Sequence, residues 1–119
     1  MKTTRLDSVT VVSPDAAAAS ATFARLFGLA PAGDGTALGI GSSRIEFVTP
    51  PSGTTLAEAL RTGGEGMAAL TLTVADLAEA RRALGAAGIG YTDETVNGRP
   101  AVAVEPSAAH GVRLRLIAN

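Results

Sequence analysis

An internal repeat limits the fold of this chain more than any other feature. Ser8-Val-Thr-Val-Val-Ser-Pro-Asp15 runs from a β-branched apolar stretch into an alanine-rich segment, and Ala69-Leu-Thr-Leu-Thr-Val-Ala-Asp76 does the same. The two copies also end alike, Arg44-Ile-Glu-Phe-Val48 being answered by Arg113-Leu-Arg-Leu-Ile117. A module that occurs twice within 119 residues is small, and each copy must find cover for its apolar faces. Aligning the copies equates Ser8 with Ala69 and Glu46 with Arg115, so any chemistry suggested by the first copy is broken in the second.

The residue pattern predicts the elements of each copy. Leu6–Val12 suits a strand, and Ser13-Pro14 supplies an N-cap and a first-turn proline for a helix. Ala16, Ala19, Phe23, Leu26 and Phe27 recur at helical spacing, and Gly28 is a natural stop. Gly33-Asp34-Gly35 fits a turn, and strands follow around Thr36–Ile40 and Arg44–Thr49. Pro50-Pro51-Ser52-Gly53 opens the joint, where Thr55-Leu-Ala-Glu58 reads as the capping box of a short helix ending near Gly63-Gly64. The second copy begins with a strand at Met67–Val74. Asp76 then opens a helix with Leu77, Ala80, Leu84 and Ala87 on one face and Gly88 at its end. Strands near Gly90–Thr92, Pro100–Glu105 and Val112–Ile117 complete it, with Asn97-Gly98 as a turn.

The expected fold is therefore α+β: one domain over 1–119, with a βαβββ module in 1–50, a linker with a short helix in 51–65, and a second βαβββ module in 66–119. Each helix covers one sheet face. The other faces are expected to form curved mixed sheets around a cavity, or to meet another subunit, and that cavity is the default ligand site.

Composition removes several classes of function. A net charge of −1 gives no electrostatic reason to bind nucleic acid or an anionic membrane, and 3% aromatic content leaves few rings for stacking on bases. The absence of cysteine excludes disulfides, thiolate catalysis and cysteine-ligated metals. The first residues lack a signal-peptide core and no long apolar run follows, so a cytoplasmic protein is expected.

Several segments together resemble the vicinal oxygen chelate superfamily, which includes glyoxalase I, bleomycin resistance proteins, methylmalonyl-CoA epimerase and extradiol dioxygenases. Leu6-Asp7-Ser8-Val9 resembles that family's Leu-Asp-His-Val opening, and Phe23-Ala-Arg-Leu-Phe-Gly-Leu29 resembles its Phe-Tyr-x-x-x-Leu-Gly-Leu helix end. Gly64-Glu-Gly-Met-Ala-Ala-Leu70 is similar to Gly-Glu-Gly-Leu-His-His-Ile of the epimerase branch. Pro106-Ser-Ala-Ala-His-Gly-Val112 is similar to the Pro-x-x-x-x-Gly-Val loop before the last strand. The resemblance spans essentially the whole chain. It implies the paired βαβββ architecture and a homodimer. In members that hold a divalent ion it also implies His, Glu or Gln, His and Glu at the positions that here read Ser8, Glu46, Ala69 and Arg115. Only Glu46 fits, so no metal and no other cofactor is expected.

Strand alternation puts Arg44 and Glu46 on one face of the first copy, and Arg113 and Arg115 on the matching face of the second, with Ile45, Phe47, Leu114 and Leu116 under the helices. A Glu46–Arg115 ion pair in place of the metal is one reading; Arg115 receiving a carboxylate, phosphate or enolate oxygen is another. Ser8, Thr10, Arg44, Glu46, Met67, Ala69, Thr71, Arg113 and Arg115 are the expected ligand-binding residues. His110 reads as a solvated loop histidine and Tyr91, at a strand start, as packing or pocket lining; the roles of both stay open. Three functions remain open at this point. The first is a metal-independent small-molecule binder. The second is a metal-free epimerase, isomerase or lyase acting next to a carbonyl, with Glu46 and Arg115 as its catalytic residues. The third is a non-catalytic structural or regulatory dimer.

Overall fold

The repeat becomes two strand–helix–three-strand modules in a computed structural model that describes residues 1–33 and 35–119. The first contains β1 (Thr3–Val12), α1 (Ala16–Phe27), β2 (Ala30–Pro31), β3 (Ala37–Ile40) and β4 (Ser43–Val48). A linking helix α2 (Thr55–Gly63) follows. The second contains β5 (Gly66–Val74), α3 (Leu77–Ala86), β6 (Thr92–Val96), β7 (Arg99–Val104) and β8 (Leu114–Ala118). The sequence pattern does not announce the two-residue β2, and the centre of the turn expected at Gly33-Asp34-Gly35 lies outside the described residues. Ser8–Ala68 form one compact unit; Met1–Asp7 with Ala69–Asn119 form the other, so β1 contributes a segment to each.

In the Ser8–Ala68 unit the strand order is β2-β3-β4-β1, with β1 parallel to β4 and β4 antiparallel to β3. Ala16, Leu38 and Phe47 are buried together, with Val11, Phe23 and Ile45 packed against them. The rings of Phe23 and Phe47 meet edge to face at 5.1 Å, tying α1 to β4. The cap of α1 is Asp15, which accepts from Ala18 N at 3.1 Å, rather than the expected Ser13. The Ser13 hydroxyl is instead committed to the Glu65 carboxylate and accepts from Asp15 N at 3.1 Å, so the helix starts after it. Gly28 ends the helix at φ 66°, a conformation that costs glycine nothing. Leu26 and Phe27, expected on the buried stripe, are 62% and 63% exposed. The inward line runs through Ala16, Ser20 and Phe23, and beyond it the Phe27 ring lies 5.3 Å from that of Phe23. On α2 the cap is Thr54, accepting from Ala57 N at 3.2 Å, one residue before the expected capping box. Glu58 turns forward to Arg61, whose guanidinium holds its carboxyl below the usual carboxylate range.

In the other unit the order is β1-β5-β8-β7-β6, with β5 parallel to β8 and the remaining pairs of the second module antiparallel. The start of β1 is fixed to β5 by Ala75 N donating to Lys2 O at 3.0 Å and by the Thr4 and Thr73 hydroxyls, 2.9 Å apart. Asp76 caps α3 as expected, accepting from Ala78 N at 2.9 Å. Val74, Ala80, Leu84, Val102, Val104 and Leu116 form its buried core, and Tyr91 packs against them. Ala87 is the exposed end of α3 rather than part of that face. Asn97 (φ 51°) and Gly98 (φ 78°) make the expected two-residue turn between β6 and β7, where the twist of the ribbon asks for positive φ at both positions.

These cores predict unequal costs for similar truncations. Leu116→Ala, at a side chain 2% exposed, should lower unfolding stability in urea by about 2–5 kcal/mol, because it removes apolar contact and leaves a cavity. Leu26→Ala, at 62% exposure, should change it by less than about 0.5 kcal/mol.

Candidate functional site

Period-two alternation and strand register decide which side chains share a face. On β1 and β4 the Cα partners are Ser8 with Arg44 and Thr10 with Glu46, placing these four on the face away from α1. On β5 and β8 Thr71 is opposite Arg115, and Leu70 N donates to Arg113 O, placing Ala69, Thr71, Arg113 and Arg115 on the face away from α3. The pairs Thr10–Glu46 and Thr71–Arg115 hold the same place in the two modules. The register therefore equates Glu46 with Arg115, as the sequence repeat does.

Four buried side-chain atoms on these faces make no hydrogen bond among the described residues: Ser8 Oγ, Thr10 Oγ1, Thr71 Oγ1 and Arg115 Nε. Ser8, Thr10 and Thr71 are each 1% exposed. Buried polar atoms are nearly always satisfied, and an orphan costs about 1–3 kcal/mol, so four on these faces, two of them at the equivalent positions Thr10 and Thr71, call for an explanation. Thr73 shows the contrast: one turn of the pleat beyond Thr71, its hydroxyl meets Thr4 and donates to Arg5 O at 3.3 Å.

The charged members carry counterions inside their own units. Glu46 Oε2 accepts from Arg44 Nε at 3.2 Å and from Arg44 Nη2 at 3.1 Å, a forked contact that fixes the carboxylate along β4. Arg115 Nε lies 3.0 Å from Glu94 Oε1 on β6. Its N–H is not aimed at that oxygen, so the contact is a charge pair without a hydrogen bond. Arg113 Nη1 lies 3.3 Å from Glu105 Oε2. Glu46 and Arg115 thus fall one in each unit, each with a partner of its own. Met67 stands apart from the other expected residues: it is 75% exposed, at the rim of an open groove in the Ser8–Ala68 unit.

That groove, about 830 Å³, is the feature the sequence reasoning missed. It opens on the α1 side of the sheet, over Val9, Val11, Ile45 and Phe47, with Ala18, Ala19 and Thr22 of α1 along one wall. Its signal was present in the alanine run of α1, whose short side chains cannot fill the space above β1. His110 sits in its exposed loop at φ 54°.

No protein-family model matches the chain, and no curated protein sequence matches it. Its architecture, however, recurs in solved structures. Methylmalonyl-CoA epimerase from Mycobacterium tuberculosis is similar at a TM-score of 0.88 and 20% identity, over 98% of this chain and 88% of that one. Streptomyces coelicolor methylmalonyl-CoA epimerase in complex with 2-nitronate-propionyl-CoA is similar at 0.87 and 17%, over 99% of both chains. A hypothetical protein from Bacillus halodurans C-125 is similar at 0.86 and 19%, over 97% and 94%. The chain has the vicinal oxygen chelate fold. The four positions that the sequence resemblance assigns to metal ligands hold residues unsuited to a divalent ion: Glu46 is a carboxylate already forked by an arginine, Ser8 offers a hydroxyl, Ala69 a methyl group and Arg115 a permanent cation. Among the described residues no group of three or more histidines and carboxylates could hold a metal.

The orphaned hydroxyls predict a sign that a packed, satisfied hydroxyl would not give. Thr71→Val should leave stability unchanged or raise it by about 1 kcal/mol, because it removes an unsatisfied buried group at constant shape. Thr73→Val should lower stability by about 1 kcal/mol, because its hydroxyl is bonded. Chemical denaturation of the two variants side by side checks both.

Proposed function

We propose that this protein binds a small molecule without a metal, and that the ligand presents an anionic oxygen to Arg115. One observation carries the reading: Thr71 Oγ1 and Arg115 Nε, opposite each other on β5 and β8, are buried donors that nothing among the described residues satisfies. A carboxylate, phosphate or enolate oxygen supplies the acceptor both lack. In a site of low dielectric, hydrogen bonds to such a charged acceptor are about twice as strong as neutral ones. Glu94 has a definite part in this arrangement. Its carboxylate, on a side chain 37% exposed, neutralises Arg115 in the absence of ligand without taking the Nε–H, so an incoming anion competes with it for charge and gains a hydrogen bond.

A second reading draws on the names of the similar structures. An epimerase acting next to a thioester carbonyl forms an enolate, and the same Thr71–Arg115 donors would stabilise its oxygen, with a water moving the proton. Solvent deuterium incorporation into a branched acyl-thioester, lost in Arg115→Gln, separates this enzyme from a plain binder.

Titration with malonate and with inorganic phosphate tests the shared core of the two readings. Arg115→Gln should weaken binding about tenfold to a hundredfold, the effect of losing one charge-assisted bond of about 1.5–3 kcal/mol. Glu94→Gln should tighten it several-fold, since the competing carboxylate is gone. Equal affinity in wild type and Arg115→Gln would refute the assignment.

A further inference from the structure

We propose that the groove of the Ser8–Ala68 unit binds hydrophobic cations: small molecules with an apolar body and one protonated amine. The inference goes beyond the reading above and uses none of its residues. At about 830 Å³ the groove falls within the range of pockets that hold drug-sized ligands. Its floor is apolar, built from Val9 and Val11 of β1 and from Ile45 and Phe47 of β4. Along the wall, α1 contributes the small side chains of Ala18, Ala19 and Thr22, which leave that floor uncovered. Such a surface gains free energy by excluding water, and nothing on it selects a polar ligand body.

Charge selects the head group. Among the described residues the charged ones lining the groove are Asp15 and Glu65, both acidic, with no lysine, arginine or histidine. Each carboxylate meets neutral donors. Asp15 Oδ1 caps Ala18 N at 3.1 Å, and Glu65 Oε2 accepts the hydroxyl of Ser13, itself 1% exposed. These hydrogen bonds orient the two side chains without neutralising them. An ammonium lying beside them supplies the missing countercharge and places its alkyl or aryl body over Val9, Val11 and Phe47. A carboxylate of the same shape meets like charge and is rejected.

Calorimetric titration of the full chain with decylammonium, decanoate and decanol, each below its micellar concentration, tests this. Decylammonium should bind at least tenfold more tightly than decanoate. The double variant Asp15→Asn, Glu65→Gln keeps an oxygen acceptor at each position for Ala18 N and Ser13, and it should abolish that preference while leaving decanol binding in place. Thr22→Trp and Ala18→Trp, both at exposed helix positions, should block all three ligands with the circular dichroism spectrum unchanged. Arg115→Gln should leave decylammonium affinity as it was, so failure here and failure of the anion site are distinguishable. Decanoate binding as tightly as decylammonium overturns the inference, as does the absence of binding by all three. A dimer that persists at low concentration and is split by Thr22→Trp would assign the groove to a second copy of the chain and overturn it equally.

Discussion

The parallel pairing of β1 with β4, and of β5 with β8, is the constraint on which the rest of the structure depends. A side chain changes face with every residue along a strand, so a slip of one position would exchange the apolar and polar faces of a module. With Thr10 opposite Glu46, the residues Val11, Ile45 and Phe47 go under α1, and the hydroxyls and charges go to the other face. With Thr71 opposite Arg115, Leu114 and Leu116 go to α3, and Thr71, Arg113 and Arg115 go away from it. Because both modules use the same register, replacement of an acid by a base at Arg115 is a change at one defined place in the fold. It cannot be a drift of alignment in a loop.

A guanidinium at 15% exposure needs a counterion, since removing a charge from water without one is costly. Glu94 supplies it from two strands away, just as Arg44 supplies one for Glu46 from its own strand. The two solutions differ in kind. The Arg44 fork donates twice to Glu46 and uses directional bonds, whereas the Glu94 contact balances charge and leaves the Arg115 Nε–H unsatisfied. That difference makes Arg115 the better candidate for meeting a ligand: its charge is tolerated in the resting protein, yet its buried Nε–H has no acceptor among the described residues.

Short-range rules made most of the fold legible in advance. The repeat gave the two modules, and β-branched runs, Asp76 and Asn97-Gly98 gave elements whose causes lie within a few residues of each other. Failures occurred where a distant residue decided the outcome. Ser13 looked like a cap because the sequence does not reveal that Glu65 takes its hydroxyl. Leu26 and Phe27 looked buried because periodicity fixes a stripe but not how far along the helix neighbours reach to cover it. Among the site residues, alternation placed Ser8, Thr10, Thr71 and Arg115 on definite faces. That these hold orphaned atoms, and that Arg115 is paired with Glu94, depends on side-chain geometry across strands, which no local pattern encodes.

The groove follows from a difference between the copies that the repeat conceals. In the second copy, Leu77 and Leu84 of α3 project large side chains onto the sheet, and the core there joins six buried residues. In the first copy the corresponding helix is written largely in alanine, and among the described residues its buried cluster is Ala16, Leu38 and Phe47, with Ala19, Phe23 and Ala24 of the helix packed against it. Alanine favours helix formation, so α1 holds its shape while filling little volume. Interiors are otherwise packed as tightly as organic crystals, and a helix kept at its station by Phe23 against Phe47, with only short side chains at Ala18 and Ala19 facing the groove, leaves space that packing alone would close. The first module therefore gives up apolar burial that the second obtains. Under the proposal made for the groove, the apolar body of a hydrophobic cation supplies the contacts that α1 leaves unmade.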